Sequence, residues 1–460
     1  MAERVLGRAA QTALRKALAT TGSGQYLVAE DLEPLIRDYL WYQSPLTAQV
    51  PLVRADGHIH EVARRTAVNR GWVEGESTDP SYSQSTYDRR QVEIKIMRTS
   101  GKVTDFMVSA SRSFTDVMTD EVEATTMALA DVIEYMTMYG FSDDLTTYDF
   151  TGDGYQYTGA YGWILEDAAS ANVQDANSNG AAGATVTLSM LDSLYSATVG
   201  KYRNFLRDPY LFLMSQAMID KVSGLQTRIS RAVPQIEFEG GMVMSTYKNI
   251  PMLPCQFCAP TSTAAPTTLA AASATGGDLD DDTYYYRVAS ITLYGEQIAA
   301  TEVNATTSGT HNSVTLTWTA DTNAKEYAIY KGTTTGDNNL GLLDVIAAKT
   351  YSATGAVSAN VATYTDDGTI TAEATVNPLD SGEEVVFLIN IGRNYGVSRP
   401  VLPPARGVPA AADFDPASAL IAYEDIPVAT DEHAFRLKSY HAIQVPRGES
   451  CAVLRRAKTS

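Results

Sequence analysis

The chain has 460 residues, 44% of them hydrophobic and 19% charged, with a formal net charge of −19. That mix suits two or three folded domains and excludes overall disorder. No apolar run reaches the roughly 18 residues of a membrane span, and the acidic balance opposes tight nucleic-acid binding, which needs clustered Lys and Arg.

Residues 1–20 carry Arg4, Arg8, Arg15 and Lys16 among Ala and Leu, without the apolar stretch and cleavage site of a signal peptide. The expectation is a basic helix at the head of a cytoplasmically made protein. Residues 50–108 then alternate: Val92, Ile94 and Ile96 interleave with Glu93, Lys95 and Met97. This predicts a long two-stranded arm around a turn-rich tip at 71–87. A lone hairpin has little core and is marginal in water, so a partner is expected to cover it.

The best helix lies at 114–140, where Met118, Val122, Leu129, Ile133 and Met136 recur at three-to-four-residue spacing. Asp116, Asp120, Glu121 and Glu123 favour its N-terminal dipole, and Gly140 reads as its C-cap. Two further helices are expected at 188–204 and 209–224. Late strands are expected at 385–391, 434–437, 441–445 and 451–454.

Between about 261 and 378 the composition shifts to Thr, Ala, Gly and Asp, with four Lys or Arg against thirteen Asp or Glu. Alternating strands are expected at 284–290, 298–303, 314–319, 326–330, 342–346 and 362–365, separated by turn clusters. Short strands at regular spacing predict a β-sandwich.

No motif carries enzyme chemistry. Cys255 and Cys258 form C-x-x-C, but further ligands at zinc spacing are missing and the Pro-rich flanks read as linker. Asp278-x-Asp280-x-Asp282 starts like a calcium loop, yet Thr283 and Ala289 stand where Gly and Glu are needed. His58-x-His60 shares one strand face without a completing ligand set. No P-loop, G-x-S-x-G or G-x-G-x-x-G occurs. The expectation is no enzyme activity, no cofactor and no metal.

Several segments, in this order, resemble the major capsid proteins of tailed bacteriophages, the Hong Kong 97 fold. Trp72-Val73-Glu74-Gly75 through Asp79-Pro80 and Tyr87 is similar to the tip and return of that family's extended loop. "MVSASRSFTDVMTDEVEATTMALADVIEYMTMYG" resembles its spine helix and the strand before it. "DPYLFLMSQAMIDKVSGLQ" resembles an axial strand and helix. "EEVVFLINIGRNYGVSRP" and "HAFRLKSYHAIQVPRGESCAVLRRAK" resemble its late strands. The middle stretch resembles a fibronectin type III or Ig-like domain, with "TYYYRVASITLYGE" like the penultimate strand, "VTLTWTA" the second, "AKEYAIYKG" the third and "ATYTDDG" the strand before the penultimate. Because the Tyr strand precedes the Trp318 strand, a circularly permuted sandwich is expected.

The resemblance implies an α+β fold of Hong Kong 97 type with an inserted all-β sandwich. Its parts are an N-terminal arm (1–50), the extended loop and the strand after it (51–108), the spine helix with peripheral and axial parts (109–260), the insertion (261–378) and the closing strands (379–460). It implies a structural protein that self-assembles, as hexamers and pentamers, into an icosahedral head shell around double-stranded DNA held by loose contact only. Expected partners are further copies of itself, a separate scaffolding protein (fewer residues precede the loop than a built-in scaffold needs), a portal protein and decoration proteins. The expected location is the virion, after assembly in host cytoplasm, with no membrane. The insertion is expected on the outer surface, stabilising the shell or weakly holding host-surface sugars. Arg64, Arg65, Arg70, Trp72, Arg89 and Arg90 make the arm basic and are the candidate inter-subunit contacts. The rival reading is a secreted or surface carbohydrate-associated protein with a fibronectin-type module.

Overall fold

The computed structural model describes residues 45–68, 73, 84–111, 116–142, 154–167, 172–176, 183–200, 209–229, 235–237, 243–260, 263–336, 340–351, 357–372, 376–393, 396–402, 420–427 and 431–459. Most of the expected N-terminal arm, and the loop tip with Arg70 and Trp72, lie outside these residues. The fold is α+β; residues 107–111, expected as strand before the spine helix, belong instead to the helix Asp105–Ser111.

The spine helix runs Val117–Tyr139. The Asp116 side chain accepts from the Thr119 amide at its N-terminus, satisfying a donor that no helical turn can reach. Only its C-terminal half is buried, from Leu129 onward. Gly140 does end the helix, but not as a left-handed cap: its φ is −62°. Glycine is needed there because a Cβ would meet the Tyr157 carbonyl at 2.3 Å.

A five-stranded peripheral sheet packs beside the helix. Lys95–Thr104 pairs antiparallel with Glu432–His441 along their whole lengths. The expected separate strands at 434–437 and 441–445 are therefore one strand plus an irregular tail, since ten successive pairs hold it straight. The eight-stranded axial sheet is centred on Tyr210–Met214 and Glu383–Asn390, flanked by Ala452–Lys458 and Ile250–Pro254. Residues 209–224, expected as helix, split into that first strand and the helix Gln216–Ile229. Five consecutive apolar residues covered on both faces suit a central strand rather than a one-sided helix. The helix expected at 188–204 is Leu188–Tyr195 followed by a π-helical turn, Ser196–Gly200.

The insertion forms two facing sheets. The strand Ser313–Thr319 lies between Thr267–Ala274 and Thr363–Asp366. The other sheet places Thr283–Thr292 beside Glu326–Gly332, which pairs on its far side with Gly341–Ala347, while Val303–Thr306 joins the first of these. The expected strand at 298–303 is shifted to Val303–Thr306: Ala300 still donates to Val288 O of the strand Thr283–Thr292, but Ala299 turns away to donate to Leu379 O. Ala265 donates to Ile298 O, so both ends of the insertion bond to neighbouring residues 298 and 299 and run side by side.

The sheet of Thr283–Thr292, which Gly295–Glu296 completes as a fifth strand, is buried on both faces. Tyr286, Val288, Tyr327, Ile329 and Leu343 point to the sandwich core around Trp318. Ala289, Ile291, Ala328, Tyr330, Leu342 and Val345 point the other way, into one core with Tyr139, Tyr161 and Phe387 of the flanking chain. One of the insertion's sheets is thus an internal wall packed against the rest of the chain.

Candidate inter-subunit surface

The arm is an antiparallel hairpin of Ile59–Ala67 and Thr86–Glu93, paired with no third strand among the described residues. Alternation sends its side chains to two faces; at its base Val92 is buried in the core, but farther out the apolar side chains are uncovered. Ile59, Val68 and Tyr87 are 53%, 64% and 62% exposed, and Val73 of the tip 92%. Soluble domains seldom leave so many large apolar groups uncovered on one element.

The four described arginines divide into two kinds. Arg90 is buried and fastens the arm to its own chain. Its guanidinium makes two bonds to Asp167, at 2.9 and 2.6 Å, donates to Val445 O at 2.8 Å, and lies 4.4 Å over the Trp163 ring. Helix Ala160–Asp167 presents both Trp163 and Asp167, and the Gly448 amide donates to the same carboxylate at 2.6 Å. Such bidentate, largely desolvated pairs are the strong class. Arg64 reaches the rim of this anchor at 3.4 Å from Asp167 and pairs with Asp88 at 2.8 Å. That hydrogen bond holds the Asp88 carboxyl below the usual range. Arg65 and Arg89 are the outward cations. Arg65 stacks 5.3 Å over Tyr87, and Arg89, 74% exposed, touches Glu61 across the hairpin at 3.3 Å. A groove of about 860 Å³ under the arm is lined by Val62, Arg65, Tyr87, Asp167 and Arg447 among others.

A second exposed apolar area has the opposite charge. It is formed by Phe106 and Met107 on the short helix Asp105–Ser111, which are 81% and 50% exposed. Asp105, Asp431 and Glu432 flank them, with Asp116, Asp120, Glu121 and Glu123 on the exposed start of the spine helix. A hydrogen bond to Asp105 raises the Asp431 carboxyl.

Two buried ion pairs were missed by sequence reading. Arg455 makes paired bonds of 2.8 and 2.9 Å to Glu296 of the insertion and also reaches Tyr161 and Tyr330. Arg456 meets Asp175 at 3.0 Å and Glu383 at 3.3 Å. The signal was present in "AVLRRAK": two arginines inside an apolar strand must find acids, though spacing does not say which.

The other motifs are taken up locally. Cys255 and Cys258 are buried, and burial, with Cys255 beside it, pushes the Cys258 thiol up. Asp281 and Asp282 accept from the Gly309 and Thr283 amides. His58 pairs with Glu93 at 3.0 Å. Among the described residues no group of three or more His, Cys, Asp and Glu side chains is arranged for a metal, and no helix is long and apolar enough to cross a membrane.

No known family model matches this chain, and no curated protein does. Solved structures similar to it include the holo-SrpI encapsulin complex from Synechococcus elongatus PCC 7942, with a TM-score of 0.48 and 11% identity over 95% of both chains. The cyanophage A-1(L) capsid asymmetric unit gives 0.47 and 9% over 94% of this chain and 98% of that one. The capsid of a native GTA particle gives 0.45 and 12% over 95% and 99%.

Proposed function

We propose that this protein is the major shell-forming protein of a tailed-phage-like head. The arm carries this reading: a hairpin fixed at its base by Arg90, and bearing outward Arg65 and Arg89 beside uncovered Ile59, Val68 and Tyr87, is built to lie on something else. The acidic, apolar area around Phe106 and the spine-helix start has the complementary charge and is the expected seat of a neighbour's arm. Copies then bury what neither buries alone, in hexamers and pentamers of an icosahedral shell. A net charge of −19 fits enclosing DNA with only loose contact. A separate scaffolding protein, a portal and decoration proteins are the expected partners, the host cytoplasm the place of assembly and the virion the destination.

The insertion is read as a permuted Ig-like or fibronectin-type sandwich. Its pairing supports this: the Trp318 strand sits centrally in one sheet, the Tyr286 strand lies beside Glu326–Gly332 in the other, and the chain ends run side by side, as insertion into a host loop requires. Replacing residues 69–83 by a short Gly-Ser link tests the arm. By sedimentation the full chain should form large particles and the trimmed chain a small, folded species. Equal particle yield from both would overturn the reading.

A further inference from the structure

The chain leaves the axial sheet for the insertion through Cys255-x-x-Cys258. Strand Ile250–Pro254 ends, and a single 3-10 turn, Gln256–Cys258, follows with Cys255 as its N-cap. The first and fourth residues of a tight turn bring their Cα atoms within about 7 Å, and a disulfide spans about 4.4–6.8 Å. An N-cap side chain also points at the third residue of the turn, the geometry that capping boxes use. Cys255 makes no cap hydrogen bond that would hold its sulfur elsewhere. The two thiols are in hydrogen-bond contact.

The backbone around the pair is held at three points. The Cys255 amide donates to Met214 O at 3.0 Å, and the Tyr139 hydroxyl donates to Phe257 O at 3.2 Å. Gly295 packs so close that a Cβ there would lie 2.5 Å from the Phe257 carbonyl oxygen. Cys451 is no competitor. Its sulfur accepts from the Asn390 amide, and Asn390 pairs with Tyr210. Cys255 bonds Met214 at the other end of that strand, about 13 Å away at about 3.3 Å per residue.

We propose that Cys255 and Cys258 form a reversible disulfide, a redox latch on the turn that joins the axial sheet to the insertion. The latch is independent of the shell reading. Its oxidant is a low-molecular-weight disulfide, RS–SR. Cys255, 4% exposed against 0% for Cys258, is the sulfur that the oxidant meets. The Cys255 thiolate attacks one sulfur of RS–SR and expels RS⁻. Cys258 then gives up its proton and attacks the Cys255 sulfur, expelling the second RS⁻. The protein thiols lose two electrons and two protons, and the oxidant leaves as two RSH.

Burial, then the hydrogen bond with Cys255, pushes the Cys258 thiol up, which slows the second attack. Catalytic C-x-x-C pairs show the reverse, a lowered and partly exposed thiol. This pair therefore holds a redox state instead of passing it on. In a reducing compartment it stays open, and long residence in oxidising surroundings closes it. A ring this small removes less chain entropy than a long one. The effect is local: the entry to the insertion stiffens.

The test incubates the purified, folded full chain with oxidised or reduced glutathione, then unfolds it, alkylates it with N-ethylmaleimide and measures its mass. With reduced glutathione Cys255, Cys258 and Cys451 should all be alkylated. After oxidised glutathione only Cys451 should be, with the 255–258 peptide lighter by two hydrogens, and dithiothreitol should reverse this. Cys258→Ser should stop at the first step, with glutathione held on Cys255; an unmodified Cys255 there would count against the mechanism. Hydrogen exchange at residues 255–260 should slow on oxidation and recover on reduction. All three cysteines alkylated after prolonged oxidation, glutathione left unresolved on wild-type Cys255, or a disulfide that includes Cys451 would overturn the proposal. Equal hydrogen exchange in the two states would overturn the latch.

Discussion

The Arg455 guanidinium closes on the Glu296 carboxylate with two bonds, at 2.8 and 2.9 Å, and the two side chains are 1% and 2% exposed. One belongs to the last strand of the axial sheet and the other to the insertion, 159 positions earlier. Tyr330 of the insertion donates to Glu296, and Tyr161 of the helix Ala160–Asp167 accepts from the guanidinium. The contact ties the insertion to the closing strand through groups that cannot be left alone in the dry interior.

Removing one partner strands a buried charge. Arg455→Met alone, or Glu296→Leu alone, should cost about 3–5 kcal/mol, and the double replacement much less than the sum. Urea unfolding of the four chains gives the cycle; additive losses would mean the pair is not coupled.

Arg89 and Arg90 are adjacent but differ in kind. Arg89→Glu should change monomer stability by no more than about 0.5 kcal/mol, as expected of an exposed position, while lowering particle yield. Arg90→Glu sets an acid against Asp167 and should loosen the arm, read as faster proteolysis near residue 68 in the unassembled chain. Reversing both together would confuse the two effects. Equal proteolysis of the two variants would contradict the division.

His441 is fully buried between Tyr157 and Ser439, and burial, then the nearby Arg399 charge, hold it well below 6.5. A depressed histidine stays neutral in the fold while the unfolded chain takes a proton. Its contribution is thus complete above pH 6.5 and is lost as pH falls from there toward the folded value. His441→Gln keeps hydrogen-bonding capacity without the titration. The stability difference between wild type and variant should shrink as pH drops from 7.5 to about 5; a pH-independent difference in melting temperature would refute this.

Two glycines should respond oppositely to alanine. At Gly140 the new Cβ meets Tyr157 O at 2.3 Å, so Gly140→Ala should destabilise by about 1–3 kcal/mol. Gly224 lies in helix Gln216–Ile229 with nothing within 4 Å, so Gly224→Ala should stabilise by about 0.5–1 kcal/mol. Thermal melts of the two variants check both signs.

The spine helix was readable because local periodicity decides it, with Leu129, Ile133 and Met136 on one face; the arm was readable only in part, because Lys95–Thr104 continues its alternation yet pairs with Glu432–His441 rather than within the hairpin. The strand Thr267–Ala274 was not readable, since its run of Thr, Ala and Ser around a single Leu shows no polar–apolar alternation and only pairing with Ser313–Thr319 makes it a strand. The buried wall escaped for a related reason. Tyr330 and Leu342 read like any sandwich strand residue, and nothing local says that the sheet is covered on its second face. Arg64, Arg65, Arg89 and Arg90 looked alike in sequence because the anchor that separates them, Asp167, lies 77 positions beyond Arg90.

The shell claim is tested most directly by negative-stain electron microscopy of the chain expressed with and without its neighbouring phage proteins. Closed, icosahedrally symmetric particles, or tubes of the same subunits, are the predicted result. A monodisperse monomer under every condition, at concentrations where capsid proteins assemble, would contradict it.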